Sequence, residues 1–215
     1  MQKESSRKKP KQSADLLSYE QALREEGYTL FCGVDEAGRG PLAGPVCAAA
    51  VILPAGWVPE GLNDSKKLTE KQRERLFPII QEGALDFGIA FADVDEIETL
   101  NILGATFLAM NRAIGSLRTV PPLALIDGNR NNAIRYESRC VVGGDGKCAS
   151  IAAASVLAKV SRDRLMQEYA ARYPQYGFEK HKGYGTKAHY EALRQYGPCP
   201  IHRMSFLPAD MRQQA

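Results

Sequence analysis

Four carboxylates stand where apolar strands run out into glycine-rich backbone. Asp35 and Glu36 close the run LFCGVDE (residues 30–36), and Gly38 and Gly40 follow at once. Asp127 closes LALID (residues 123–127) ahead of Gly128, and Asp145 sits in Gly143-Gly144-Asp145-Gly146, between a strand and a helix. A charge directly after a buried strand is costly unless it is paired or bound to a cation, and strand ends are where sites assemble in open α/β sheets. An all-oxygen donor set favours Mg²⁺ or Mn²⁺ over zinc. One carboxylate shared between two such ions is the pattern for in-line phosphoryl chemistry. Each acid taken alone also suits an ordinary turn or cap, since Asp-Gly, at 127–128 and 145–146, is a common turn dipeptide. Neighbours on an ideal strand point to opposite faces. Asp35 and Glu36 therefore share a site only where the strand bends or ends, which Gly38 and Gly40 would permit. Spacing alone leaves a four-carboxylate site and four separate turns both open.

Other patterns are weaker. Gly38-Arg39-Gly40-Pro41-Leu42-Ala43 fits a dinucleotide-binding loop, but that loop must open a helix, and here Gly44 and Pro45 lead into the strand-like VCAAAVIL. Gly146-Lys147 lacks the earlier glycine of a phosphate loop and has Cys148 in place of Ser or Thr. No G-x-S-x-G elbow occurs. Cys199-x-x-His202 has ligand-like spacing without a second pair, which argues against zinc.

Bringing the acids together requires adjacent strands, and the hydrophobic pattern supplies them. Residues 30–36 and 46–53 read as strands joined by GRGPLAGP, residues 68–82 as a helix that Pro78 should kink or end, and residues 84–92 as a third strand. Helices are predicted at about 94–100 and 102–117, and strands at 123–127 and about 138–142. A long helix from about 147 to 172 opens with ASIAAAS, small residues suited to close packing on a sheet, and Pro174 ends it. A last helix is expected at 186–196. Three strands interrupted by a helix, then alternating helix and strand, predict an α/β fold: a mixed sheet with helices on both faces. Residues 1–13 (MQKESSRKKPKQS) read as a disordered basic tail, and residues 14–28 as an N-terminal helical segment stopped by Gly27.

At 215 residues, 44% hydrophobic and 25% charged, the chain fits one large domain with a small appendage, and collagen, coiled coil and full disorder are excluded. No apolar stretch approaches the ~18 residues of a membrane-spanning helix. The net charge of +3 is uneven: residues 1–12 carry +4 and the remainder −1, yet from Lys159 onward ten basic groups face five acids. That is compatible with a local nucleic-acid surface. Five cysteines without framework spacing point to a reducing compartment, and with no apolar leader a cytoplasmic location is expected.

The segment Gly33-Val34-Asp35-Glu36-Ala37-Gly38-Arg39-Gly40-Pro41-Leu42-Ala43-Gly44-Pro45 resembles the opening motif of the type 2 ribonucleases H, in particular the bacterial ribonuclease HII family. Further matches follow in order: Asn63-Asp64-Ser65-Lys66-Lys67-Leu68, Ile126-Asp127-Gly128, Ser150-Ile151-Ala152-Ala153-Ala154-Ser155 with Ala158-Lys159-Val160, and His181-Lys182-Gly183-Tyr184-Gly185-Thr186. The resemblance covers about residues 29–207 and leaves out the basic tail.

This resemblance implies a ribonuclease H-like mixed five-stranded sheet flanked by helices. Residues 29–172 would form the catalytic core and residues 173–215 a C-terminal helical substrate-binding extension. The strands ending in Asp35, in Asp127 and just before Asp145 would lie side by side. Asp35, Glu36, Asp127 and Asp145 would hold two divalent ions, Mn²⁺ or Mg²⁺, that activate a water and stabilise the leaving 3′-oxygen. The implied substrates are RNA/DNA hybrids and duplex DNA with embedded ribonucleotides, cut 5′ of the ribonucleotide to leave a 5′-phosphate and a 3′-hydroxyl. Gly38, Arg39 and Gly40 would meet the ribose 2′-hydroxyl with their backbone, and Tyr184 would pack on the sugar at the RNA–DNA junction.

Lys66, Lys67, Lys159, Arg162, Lys180 and Lys182 are candidate phosphate contacts, while Ser65 and Ser150 would donate to phosphate or cap helices. His181, His189 and His202 are expected to be packing or surface residues. A monomer with no obligate protein partner is expected. A silent hybrid-binding module would gain nothing from four acids facing phosphates, and a DNA-specific nuclease would not need the Gly38–Gly40 and Tyr184 elements.

Overall fold

Five strands make one sheet: β1 (Cys32–Ala37), β2 (Val46–Ile52), β3 (Asp86–Ala92), β4 (Ala124–Asp127) and β5 (Ser138–Val141). The structure is a computed structural model that describes residues 15–212, so the expected tail at 1–13 lies outside the described residues. The strand order is β3-β2-β1-β4-β5. The β1/β2 and β2/β3 pairs are antiparallel, and the β1/β4 and β4/β5 pairs are parallel. The strands carrying Asp35 and Asp127, and the one leading to Asp145, are therefore neighbours, as expected. The run VCAAAVI of β2 is buried along its whole length because both of its faces are covered.

The helices are α1 (Asp15–Glu25), α2 (Glu70–Gly83), α3 (Val94–Gly115), α4 (Ala149–Arg172), α5 (Phe178–His181), α6 (Lys187–Tyr196) and α7 (Ala209–Arg212). One face of the sheet packs on α3 through Ala105, Ala109 and Ala113 against Val34, Ala48 and Ala50. The other packs on α4 and α2, where Ala49 and Val51 meet Ala152, Val156 and Ile80. The small residues of α4 bring it hard against β1: a Cβ on Gly33 would land on the Ile151 nitrogen and the Ser150 carbonyl carbon.

The break predicted between residues 100 and 102 is present inside α3. Asn101 leaves helical geometry at φ 57°, and its Oδ1 accepts the amides of Leu103 and Gly104, re-capping the second half. Pro78 does not end its helix. The chain stays helical from Glu70 to Gly83, held by a Thr69/Gln72 capping box and by burial of Leu76, Phe77 and Ile80, which together outweigh the missing backbone donor.

Beyond Pro174 the chain builds a separate apolar cluster in which Tyr176, Phe178, Leu193 and Ile201 pack against Met166 of α4 and against Leu42 and Ala43. The β1–β2 connection thus lies between the sheet and the C-terminal segment. Among the described residues no helix is long and apolar enough to cross a membrane.

Candidate active site

Parallel pairing sets Val34 beside Ile126, so the next residues, Asp35 and Asp127, come level at the ends of β1 and β4. Asp127 in turn pairs with Val141, the last residue of β5. Just beyond, a 3₁₀ turn at Gly144–Gly146 carries Asp145, and Asp127 Oδ1 accepts the Gly144 amide at 2.7 Å. Carboxylate oxygens of Asp35, Asp127 and Asp145 all lie within 4.8 Å of one another. The first and last of these side chains are buried.

Glu36 stands apart from this trio. β1 keeps its register with β2 through Ala37, opposite Cys47, with no bulge between Asp35 and Glu36, and regular pairing turns neighbouring side chains to opposite faces. Glu36 looks toward α3 into a hollow of about 320 Å³ that Phe107 and Met110 also line, and it pairs with Arg39 at 3.4 Å. Glu36 and Asp127 both line this hollow and also the cleft above Asp35, so Glu36 sits at a shared rim.

Burial drives the electrostatics. It holds the Asp35 carboxyl well above the ordinary range, and the charges of Glu36 and Asp127 add to this, while bonds from the Ser155 hydroxyl and the Glu36 amide oppose it. Burial also raises Glu36 against the pull of Arg39, and raises Asp145, aided by Asp127 and opposed by Lys66. Lys66 Nζ reaches Asp145 at 3.3 Å. Although desolvation works against its charge, Asp145, with Asp35 and Asp64, carries its pKa above the usual value. Mutually repelling carboxylates, with Asp35, Glu36 and Asp145 raised by burial and Lys66 and Arg39 paired to two of them, offer oxygen donors that fit a hard divalent cation.

Together with Asp35, Glu36, Asp127 and Ser155, the residues Gly38, Arg39, Gly40, Lys66, Lys159 and Tyr184 line a cleft of about 260 Å³. Tyr184 is 45% exposed, and its ring edge lies close enough to Gly40 that a Cβ there would touch it at 3.7 Å. Lys159 pairs with Asp163 at 2.7 Å, and Lys67 stands out in solvent 3.7 Å from Asp64. Lys180 is exposed.

Three expected contacts do not face the cleft. Ser150 is fully buried in the first turn of α4, not at its cap; its amide donates to Glu20 Oε1 at 2.8 Å and its hydroxyl meets Cys148, so it neither caps nor reaches phosphate. Arg162 is buried, and its guanidinium is spent on the carbonyls of Ala43, Pro45 and Lys182. Lys182 takes a left-handed turn at φ 50° that folds its side chain inward, with Nζ donating to the Glu179 carbonyl at 2.6 Å.

Residues missed by sequence reasoning also build the site. Ser155 lines the cleft beside Asp35, and its hydroxyl lies 2.7 Å from Ser65 Oγ, a pair in which either hydroxyl can donate. A signal was present, because Ser155, Lys159 and Arg162 recur at helical spacing along one face of α4. Arg203, buried beneath Gly38–Gly44, had no such signal.

A family model described as Ribonuclease HII matches residues 32–209. A ribonuclease HII of Endomicrobium trichonymphae is 54% identical over 198 residues, covering 92% of this chain and 94% of that relative. One from Acetivibrio thermocellus is 54% identical over 192 residues, covering 89% and 75%. Among solved structures, the ribonuclease H2 of Pyrococcus horikoshii OT3 superposes with a TM-score of 0.74 at 27% identity, covering 86% of this chain and 98% of that one.

Proposed function

The chain belongs to the ribonuclease HII family, a type 2 ribonuclease H, and from that premise we propose an endoribonuclease that cleaves the RNA strand of RNA/DNA hybrids and cuts 5′ of ribonucleotides embedded in duplex DNA. The observation that carries this reading is a carboxylate trio of which Asp35 and Asp127 line one cleft together with Gly38, Gly40 and the exposed Tyr184. Asp35, Asp127 and Asp145 are the residues that would hold divalent cations, and Glu36 joins from the rim by releasing Arg39. Two Mg²⁺ or Mn²⁺ ions held there would supply an activated water and charge stabilisation at the leaving 3′-oxygen, giving 5′-phosphate and 3′-hydroxyl ends.

The protein's own groups do the rest. The Glu36 amide, donating to Asp35 Oδ1 at 2.7 Å, keeps Asp35 aimed into the cleft that Ser155 also lines. Lys66 and Lys159 place positive charge where the scissile strand's phosphates pass. The Gly38–Gly40 backbone approaches a 2′-hydroxyl with no side chain in the way, and the Tyr184 ring packs on the adjacent sugar. Free thiols at all five cysteines suit a reducing compartment, and on that ground we assign the enzyme to the cytoplasm.

The test is cleavage of a duplex with one embedded ribonucleotide, beside an all-DNA duplex, with and without Mg²⁺ or Mn²⁺. Metal-dependent cutting of the first alone is expected; equal cutting of both, or cutting that survives chelation, would refute the assignment.

A further inference from the structure

Two adjacent buried residues of the C-terminal segment, His202 and Arg203, hold the backbone that lines the cleft beside the acids. Arg203 is fully buried and its guanidinium bonds to backbone carbonyls. Nε donates to Gly44 at 2.8 Å, Nη1 to Arg39 at 3.0 Å and Pro41 at 2.9 Å, and Nη2 to Gly38 at 2.6 Å. Its own amide donates to the Leu42 carbonyl at 2.8 Å. Only the planar five-donor fork of arginine can serve so many acceptors at once. Gly38 is committed to this shape: its φ is 97°, and a Cβ would collide with Arg162.

The neighbouring side chain acts on the other half of this lining. The Cys199 amide donates to His202 Nδ1 at 2.8 Å, the contact made when the His202 proton is on Nε2. That proton is donated to His189 Nε2 at 3.0 Å, which leaves the His189 proton on Nδ1. His189 Nδ1 then donates to the Tyr184 carbonyl at 3.0 Å. His202 Nδ1 also lies 3.2 Å from the Cys199 carbonyl and thiol, but the Tyr184 carbonyl can only accept, so neutral His189 donates from Nδ1 and accepts at Nε2, and His202 donates from Nε2. Both imidazoles are buried, which favours their neutral forms.

We propose that His202 and Arg203 are positioning residues for ribose recognition. Arg203 fixes the Gly38–Gly40 turn, His202 fixes the Tyr184 main chain through His189, and the dipeptide sets the gap between the two. The inference rests on the function proposed above and extends it to residues that touch no substrate.

The experiment uses the full-length chain carrying Arg203→Lys, His202→Asn or His202→Gln, with fold checked by circular dichroism and melting. kcat and KM are measured on a duplex with one embedded ribonucleotide and on a continuous RNA/DNA hybrid. Arg203→Lys and His202→Asn should each lower kcat/KM on the embedded ribonucleotide roughly ten- to hundredfold, the scale of an ångström misplacement of a binding group. The hybrid, which offers many registers, should lose less. His202→Gln places an amide donor near the Nε2 position and should recover most of the loss. In a Tyr184→Ala background, His202→Asn should cost no more than about twofold further, because it acts through the residue already removed. The Mn²⁺ concentration for half-maximal activity should not move.

Equal losses on both substrates, no difference between His202→Asn and His202→Gln, or additivity with Tyr184→Ala would overturn the positioning role. Should Arg203→Lys fail to fold, the histidine pair and the double-mutant cycle still decide. A wild-type protein that cannot cut at an embedded ribonucleotide would overturn the functional reading itself, whereas a cutting wild type with indifferent variants overturns only this inference.

Discussion

Asp127 joins every part of the acid cluster, and its two roles can be separated. Its Oδ1 accepts the Gly144 amide that sets the turn bearing Asp145, while its charge faces Asp35, Glu36 and Asp145. Asparagine keeps a carbonyl oxygen for the Gly144 bond and removes the charge. Asp127→Asn should therefore fold, lose nearly all cleavage and melt no lower than wild type in the absence of divalent cations, because one repulsion is gone. Activity and thermal melts on one preparation check this, and an active, metal-responsive variant would remove Asp127 from the ligand set. The acids were legible because charge after an apolar strand is rare and costly; the parity of Asp35 and Glu36 was legible too, and the regularly paired strand enforces it. The direction of a cation was not legible. Lys66 and Lys182 read alike in the sequence, yet one points to Asp145 and the other folds inward on a left-handed residue, a difference set by backbone turns that composition does not encode.

At the scale of elements, α4 is the spine of the site, and its start is held from another helix. Its N-cap position, Cys148, makes no side-chain cap bond; instead the buried Glu20 of α1 accepts the Ser150 amide at 2.8 Å and the Cys148 thiol at 3.2 Å. A carboxylate at a helix N-terminus also meets the positive end of the helix dipole. Glu20→Ala leaves a buried amide unpaired and should cost about 1–3 kcal/mol of stability. Glu20→Gln, which keeps one acceptor oxygen, should cost less. Denaturant midpoints measure both, and an Ala variant as stable as wild type would dismiss this cap. Nothing local announced it, since Glu20 looks like any polar residue of an amphipathic helix and its partner lies 130 positions away. Elements themselves were legible where punctuation was strong: the break at Asn101 and the small-residue face of α4 both appear where the pattern puts them. Pro78 does not end its helix, one of the two outcomes a local rule allows, because tertiary burial of that helix overrides it.

For the molecule as a whole, charge sets two opposing responses to pH and one to salt. The three raised acids keep protons in the folded state that the unfolded chain has released, so metal-free stability falls as pH rises from about 4, the ordinary carboxylate range, through their raised values. His189 and His202 act in the other direction: with folded pKa values of about 4, set by burial, they cost stability as pH falls below their ordinary 6.5. Divalent cations bind only the ionised cluster, so saturating Mn²⁺ should raise Tm more at about pH 8 than at about pH 5, and equal increments would contradict a carboxylate site. The response to salt belongs to the basic segment at the start of the chain. Residues 1–12 carry +4, more than the +3 of the entire protein, and without them the remainder is −1. The body still presents Lys66 and Lys159 in the cleft, so deletion of residues 1–13 should not abolish binding to a nucleic-acid duplex. It should release fewer counterions, giving a shallower fall of affinity with salt, by about 0.9 in log–log slope for each phosphate that the segment neutralises. Saturating cleavage should be unchanged, because every group assigned to the chemistry lies within residues 35–184. Titrating truncated and full-length protein with one duplex across a salt series, with turnover measured at saturation, separates the outcomes. An unchanged slope means the segment does not touch the substrate, and a fall in saturating turnover would mean that it reaches the cleft.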